Sequence, residues 1–393
     1  MAPWCGPSHP ALTELDHAAN GIVSTSLSST ELDAIAETIR NFNSVRLRLA
    51  REAASLEVKE LADRIGASSS AISQLESGRT KPRAETLLRI ALVLAVPVEF
   101  FGVADPPSLS AERCHFRSLR VATKRERQFV LARGKILREI VSYLEDYVEF
   151  PSEGVRSLQE RLVVRDKATL SQSVEALAMR VRDAWGLGLG PISDMVGLLE
   201  VHGVIPVEVR GHSKRLDAFS TWTEGRPMIF LATDKNVASR RRFDAAHELG
   251  HLLMHENCDA ETRDLETIAD RFASAFLLPE RPFRLECPPR LSWSALLALK
   301  QRWGVSLLAL VRRAFDLGIY SQATYRRAHV QWARHGWRSN GEPGEPAMER
   351  PSIVQHAVEQ LHAAGHSRRV IASALCHGER LFEESVWPNG RAA

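Results

Sequence analysis

The 393-residue sequence is poor in cysteine and has no long apolar run. Its five cysteines are scattered and include no CxxC pair, which argues against a disulfide framework or a thiolate zinc ribbon and favours a reducing cytoplasm. No eighteen consecutive apolar residues occur, so we expect no membrane span. The N-terminal segment has neither a basic region nor an apolar core, so we expect no secretory signal. A GxSxG motif is also missing, which argues against a serine hydrolase of the α/β-hydrolase type.

The composition that remains is that of a globular protein with more than one domain. Hydrophobic residues make up 44% of the sequence and charged residues 25%, and the formal net charge is +3. The hydrophobic pattern is mostly helical, and it becomes extended in three short stretches, GVIPVEV, LDAFSTW and PMIFLA. We therefore predict a mainly α protein with a small antiparallel sheet, in the α+β class.

The stretch HELGHLLMH, residues 247–255, places a glutamate between two histidines in an apolar helical segment. Positions four apart on a helix lie about 40° apart around the axis, so His247 and His251 project from one face. Two imidazoles on one face are good ligands for Zn²⁺, and Glu248 then lies beside the open coordination position. The motif predicts zinc bound by the two histidines, with Glu248 as the general base of a hydrolase.

A catalytic zinc needs a third protein ligand, and the next helical segment offers one. The sequence ETIAD places Glu266 and Asp270 on one helical face, four residues apart. We predict that Glu266 completes the zinc site and that Asp270 binds the outer nitrogen of a ligand histidine and fixes its tautomer. For His255, rotated further around the helix, we expect a capping, core or substrate-facing role. A peptide substrate is expected to pair with a sheet edge supplied by LDAFSTW or PMIFLA.

A second pattern, ELADRIGASSSAISQLESGRTKPRAETL, is typical of a small helical DNA-binding bundle. A helix over 58–65 is followed by a tight turn, and Ser68 can cap a second helix over 69–76, which would enter the major groove. Base contacts are predicted for Ser69, Ser70, Ser73 and Gln74, and phosphate contacts for Lys59, Arg79, Lys81 and Arg83. Serines alone are weak base contacts, so a protein-binding helical bundle is the alternative. The basic stretch Arg113–Arg138 either extends the phosphate contacts or forms a solvated helical face.

Both patterns resemble known families. Residues 46–101 resemble the XRE-type (phage-repressor-like) helix-turn-helix family, although Val58 stands where many members carry a polar residue. Residues from about 170 to 320 resemble the ImmA/IrrE family of metallopeptidases, through RFDAAHELGHLLMH and ETIADRFASAFLLP. This second resemblance implies a zincin-like fold, Zn²⁺ on His247, His251 and Glu266, and Glu248 as the general base. It also implies that the substrate is a repressor of the XRE type.

These observations predict five segments and one leading function. The segments are an N-terminal arm (1–43), an XRE-type helix-turn-helix domain (44–103), a basic helical connector (104–165), an ImmA/IrrE-like zinc peptidase domain (166–338), and a linker with a C-terminal helical piece (339–393). We expect a regulator that binds a double-stranded DNA operator as a homodimer. Its zinc endopeptidase would cleave a repressor-type protein, in trans or within itself, and relieve repression of stress or mobile-element genes. The alternatives are a transcription factor whose zincin-like domain is a non-hydrolytic sensor or interaction module, and a scaffold that binds neither operator nor metal.

Overall fold

The computed structural model describes residues 28–107, 109, 123–151, 154–161, 170–209, 218–223, 225–233, 237–254 and 262–390. The chain divides into two compact units, each built from separate stretches of sequence. The first unit comprises Met1–Ser108, Lys124–Tyr147 and Val358–Ala393, and the second comprises Leu109–Thr123 and Val148–Ala357. The five-segment division expected above stays a prediction.

Helices dominate both units. Before the sheet they are α1 (Ser29–Arg40), α2 (Ser44–Ala53), α3 (Val58–Ile65), α4 (Ser69–Glu76), α5 (Ala84–Leu94), a 3-10 helix (Val98–Gly102), α6 (Lys124–Glu145), α7 (Gly154–Arg161), α8 (Leu170–Ala184) and α9 (Met195–Val201). The strands are β1 (Ile205–Val209), β2 (Ala218–Thr223) and β3 (Arg226–Ala232). After the sheet come α10 (Ala238–Met254), α11 (Thr262–Leu277), α12 (Glu280–Glu286), α13 (Trp293–Trp303), α14 (Leu307–Asp316), α15 (Gln322–Arg334), α16 (Trp337–Asn340), α17 (Ile353–Ala363), α18 (Arg368–Ala374) and α19 (Glu379–Val386).

The turn between α3 and α4 has the geometry that its sequence predicts. Gly66 has φ +68°, the left-handed conformation that favours glycine, and it ends α3. The Ser68 hydroxyl accepts a hydrogen bond from the Ala71 backbone N–H at 3.1 Å and caps α4. Ile72 and Leu75, on the inner face of α4, are buried. Residues 58–76 therefore form two helices joined by a tight turn, with the outer face of α4 left to solvent.

The α+β class is confirmed, but the sheet is mixed, so the expectation of an antiparallel sheet was wrong. β2 and β3 form an antiparallel pair, while β1 pairs with β3 in parallel, in the order β1-β3-β2. The strand locations were predicted from β-rich composition and bounding turns. Those signals carry no information about the direction in which two strands pair.

The core of the second unit lies between the sheet and the helices that follow it. The inner faces of α10 and α11 carry small residues, Ala245, Ala246, Ala269 and Ala273, all fully buried. Gly250 has a specific packing role, because a Cβ added to it would lie 3.0 Å from the ring of Phe272 on α11. These small side chains let α10 and α11 approach closely, and this approach determines the geometry of the site described next.

None of the helices in the described ranges is by itself long and apolar enough to cross a membrane. α13 and α14 reach that length and hydropathy only together, across a bend of 101°. Their buried residues, among them Leu296, Trp303 and Leu310, belong to the core of the second unit.

Candidate metal centre and nucleic-acid interface

Three side chains from α10 and α11 meet at one point in the second unit. The Nε2 atoms of His247 and His251 lie 3.0 Å apart, and Glu266 Oε2 is 3.4 Å from His247 Nε2 while Glu266 Oε1 is 3.6 Å from His251 Nε2. His251 and Glu266 are buried, and His247 is nearly so. Among the described residues, this is the cluster of His, Cys, Asp or Glu side chains compact enough to hold one ion.

The spacing of these three donors fits zinc. Ligand atoms about 2.0–2.1 Å from Zn²⁺ at tetrahedral angles lie about 3.3 Å from one another. The nitrogen–nitrogen separation of 3.0 Å and the nitrogen–oxygen separations of 3.4 and 3.6 Å, which involve different oxygens of Glu266, lie close to that value. Two neutral imidazoles and one carboxylate are also a donor set found in catalytic zinc sites, which leave one position for solvent or substrate. The residues present therefore fit the ion.

The outer nitrogen of His247 is held by a second carboxylate. Asp270 Oδ1 lies 2.9 Å from His247 Nδ1, which directs Nε2 of the same ring toward the cluster. Burial lowers the pKa of His247, but the hydrogen bonds to Asp270 and Glu266 outweigh it and raise the pKa to about 10 in the metal-free protein. Binding of a metal ion by His247 would therefore release a proton from this ring.

Glu248 lies on the same helix, buried against the sheet. Its Oε2 accepts a hydrogen bond of 2.7 Å from the hydroxyl of Ser220, a fully buried residue of β2. Burial raises the pKa of Glu248 to about 7, although the charge of His247 and the Ser220 hydrogen bond both act to lower it. In the described part of the chain no hydrogen bond reaches Oε1, so one oxygen is fixed and the other is left for chemistry.

A cavity of about 850 Å³ adjoins the cluster. Its lining includes His247, Glu248 and Glu266, and also two tryptophans from the helices beyond the core, Trp332 and Trp337. The volume lies within the usual range for ligand pockets in proteins. Two of the three donors and the base therefore line a space large enough for part of a peptide.

The segment Gly341–Arg350, expected to be a linker, contributes to this cavity, and we call it the acidic strap. Glu342 and Glu345 both pair with Lys300, whose side chain is fully buried, and Glu349 pairs with the buried Arg242. Each glutamate also accepts a backbone N–H from the first turn of a helix, from Leu307 at 2.7 Å, Ser239 at 3.0 Å and Val196 at 3.3 Å respectively. Ion pairs and hydrogen bonds thus join the acidic strap to the helices of the second unit.

In the first unit, all eight side chains predicted to contact DNA are exposed. These are Ser69, Ser70, Ser73 and Gln74 on α4, with Lys59, Arg79, Lys81 and Arg83 around it. Lys81 also has a partner within the protein, because its ammonium group donates a hydrogen bond to the Arg40 carbonyl at the end of α1. No acidic side chain in the described ranges pairs with Lys59, Arg79 or Arg83. This surface therefore presents polar groups on a helix and unpaired cations at its rim, as a major-groove interface requires.

Comparisons with known proteins assign both segments. Residues 47–101 match the helix-turn-helix family model, and residues 199–315 match the model of the IrrE N-terminal-like domain. The chain joins an XRE-type helix-turn-helix domain to an ImmA/IrrE-like domain. The first is a DNA-binding module of transcription regulators, and the second is a metallopeptidase-like domain.

Two curated relatives, both from Mycobacterium tuberculosis, match part of the chain. They are uncharacterized HTH-type transcriptional regulators of strains CDC 1551 / Oshkosh and ATCC 25618 / H37Rv, each 34% identical over 89 residues. That stretch is 22% of this chain and 64% of each relative's length. The relatives therefore support a regulatory helix-turn-helix domain.

Two features of the site could not be predicted from sequence motifs. Ser220 lies on a strand 28 residues before its partner Glu248, and no spacing rule connects them. The acidic strap has the Gly-Pro-Glu composition of a linker, and its cationic partners, Lys300 and Arg242, are distant from it in the sequence. The predicted helix from Arg113 lies partly outside the described residues, as does His255; the described part is α6.

Proposed function

We propose that this chain is a DNA-binding regulator whose second unit is a zinc endopeptidase acting on a repressor-type protein. The observation that carries the proposal is the convergence of His247, His251 and Glu266 at zinc-ligand spacing beside Glu248 in a cavity of peptide size. A catalytic centre needs three protein donors, an open position and a nearby base, and the four residues supply that set.

Glu248, Ser220 and Asp270 have separate roles in the proposed reaction. When bound, Zn²⁺ acidifies water and polarises a carbonyl group. Ser220 holds Oε2 of Glu248, so Oε1 is the atom we assign to accepting the proton of the attacking water and passing it to the leaving amine. Asp270 holds the ring of His247 in the tautomer that presents Nε2 to the cluster.

Among the strands that the structure describes, β3 is central and pairs with strands on both sides, so PMIFLA is not at an edge of the described sheet. β2 is the last strand in the described order, it packs on α10, and its first residue, Ala218, lines the cavity. We propose that a substrate segment pairs along β2, where backbone recognition would bring a peptide bond to Glu248.

The helix-turn-helix domain supplies the reason for a regulatory substrate. We propose that Ser69, Ser70, Ser73 and Gln74 contact base edges and that Lys59, Arg79, Lys81 and Arg83 contact phosphates. A peptidase joined to such a domain is delivered to an operator, where repressors of the same type are concentrated. Cleavage of a repressor, in trans or of this chain itself, would then change transcription at that site. XRE-type domains commonly bind paired half-sites, so we propose that the chain acts as a homodimer.

The test compares the wild type with Glu248→Gln, both loaded with zinc. Each is incubated with XRE-type repressors encoded beside it and, separately, alone, and fragments are identified by mass spectrometry. We expect cleavage by the wild type and none by the variant, with equal zinc content in both. Equal fragments from the two proteins would refute the role of Glu248. A zinc-loaded protein that binds its operator in a signal-dependent way but cleaves nothing would support the non-hydrolytic sensor instead.

A further inference from the structure

The cavity beside the metal cluster has a second, aromatic wall that the chemistry above does not use. Trp332, near the end of α15, and Trp337, at the start of α16, both line it, and both are half-buried. His247 and Glu248 line the same cavity. A substrate whose scissile bond reaches Glu248 would therefore occupy a cavity that is also lined by two indole rings.

Both rings are held in fixed positions. The Trp332 indole N–H donates to Glu342 Oε1 at 2.8 Å, and the same glutamate binds Lys300. Trp337 stacks on His335 with ring centroids 4.4 Å apart and planes at 17°, and it meets Trp293 edge to face at 5.1 Å. Rings that are already immobilised lose little conformational entropy when a ligand contacts them, so they favour binding of a matching group.

The two glutamates of this wall are already bound to other partners. Glu342 and Glu345 share the buried ammonium group of Lys300, and each accepts a helix N–H as well. Their carboxylates therefore offer little to a polar ligand, while the tryptophan faces offer apolar area. Aromatic pairs gain further stability when centroids lie about 4.5–7 Å apart, in stacked or edge-to-face arrangements.

We propose that Trp332 and Trp337 form a specificity subsite that takes a large apolar side chain, preferably aromatic, from the residue next to the scissile peptide bond. The inference rests on the proposed peptidase function and names the substrate class of that site. Both tryptophans act by contact with the substrate side chain, and neither takes part in bond cleavage.

The test uses blocked peptides that differ only beside the cleaved bond, with Phe, Leu, Ala or Glu at that position. A missing methylene in an apolar pocket changes kcat/KM by about tenfold or more, so we expect Phe to exceed Ala by at least about tenfold. Trp337→Ala should reduce the Phe-to-Ala ratio toward one. Because the ratio compares two peptides on one preparation, partial unfolding of the variant leaves it unchanged. Trp185→Ala is the matched control, since Trp185 is half-buried in the same unit, stacks on His202 and lies outside the cavity lining.

A binding measurement separates this inference from the proposed function. Zinc-loaded Glu248→Gln is titrated with the Phe and Ala peptides, and tighter binding of the Phe peptide, lost in Glu248→Gln/Trp337→Ala, supports the subsite without any turnover. If the wild type cleaves nothing while this preference persists, the peptidase proposal fails and the subsite stands. Equal binding of both peptides overturns the subsite, and so does a preference that survives both Trp337→Ala and Trp332→Ala.

Discussion

Removing the charges of two glutamates in the acidic strap should lower the free energy of unfolding of the second unit more than removing a charge at its surface. The double variant Glu342→Gln/Glu345→Gln keeps the shape of both side chains and removes both charges that face Lys300. The Lys300 side chain is fully buried, and only 8% of the Glu342 side chain is exposed. The variant therefore leaves an ammonium ion in the core without a counter-charge.

The expected cost follows from that burial. Breaking a buried ion pair by removing one sign of charge destabilises a protein by about 3–5 kcal/mol, because the remaining ion stays desolvated. A triple variant that adds Lys300→Met should recover most of the loss, since an apolar side chain needs no partner there. Glu280→Gln is the surface control: its pair with Arg284 is exposed on both sides, and its loss should cost less than about 1 kcal/mol.

Urea unfolding of the full chain, followed by tryptophan fluorescence, measures these differences as shifts of the transition midpoint at constant slope. The order expected is wild type and Glu280→Gln highest, the triple variant next, and the double variant lowest. A double variant with the midpoint of Glu280→Gln would refute the reasoning, because Lys300 would then have found water or another partner. A triple variant no more stable than the double would refute the charge argument and leave packing as the cause.

Three further predictions concern the two sites. The pKa of His247 is raised from its ordinary 6.5 to about 10, so the contribution of this residue to folding stability is complete below pH 6.5 and is lost as pH rises through about 10. Because zinc must displace the proton of His247, zinc affinity measured by chelator competition should increase from pH 6 to 8. An affinity that is independent of pH would contradict proton displacement. Ser220→Ala should slow cleavage about tenfold at unchanged zinc content, the loss expected for one hydrogen bond to a charged group, while Ser220→Thr restores it; equal rates in all three proteins would exclude a positioning role. Gln74→Ala should weaken operator binding by about 1–3 kcal/mol and reduce the sequence preference at one base pair. Arg79→Ala should weaken binding to all DNA sequences alike and reduce the slope of log affinity against log salt concentration by about one.

The sequence was sufficient where function depends on local geometry. The α3–α4 turn follows from Gly66 and the Ser68 cap, both of which act within four residues. The histidine spacing likewise follows from the helix itself, because residues four apart share a face whatever the tertiary structure. The approach of Glu266 also requires that α11 lies beside α10, and the small residues of both helices let them pack closely.

The sequence was insufficient where function depends on direction or on distant partners. The β-rich composition and the bounding turns located the strands but did not show that β1 runs parallel to β3. The Ser220 contact with Glu248 depends on how β2 packs against α10, which no residue type in either element specifies.

For the acidic strap, the sequence indicates that charged partners are needed but not which residues supply them. Lys300 lies within the apolar stretch ALLALKQRW, and an ion in that setting must meet an opposite charge or be excluded from the core. The glutamates of GEPGEPAMER recur at intervals of three and four without apolar residues at helical spacing, so they have no amphipathic helix to stabilise. The sequence thus contains a buried cation that needs an opposite charge and, elsewhere, carboxylates that belong to no amphipathic helix and are available to supply it. Their pairing here, with backbone N–H groups from the first turns of two helices donating to the same two carboxylates, satisfies both needs.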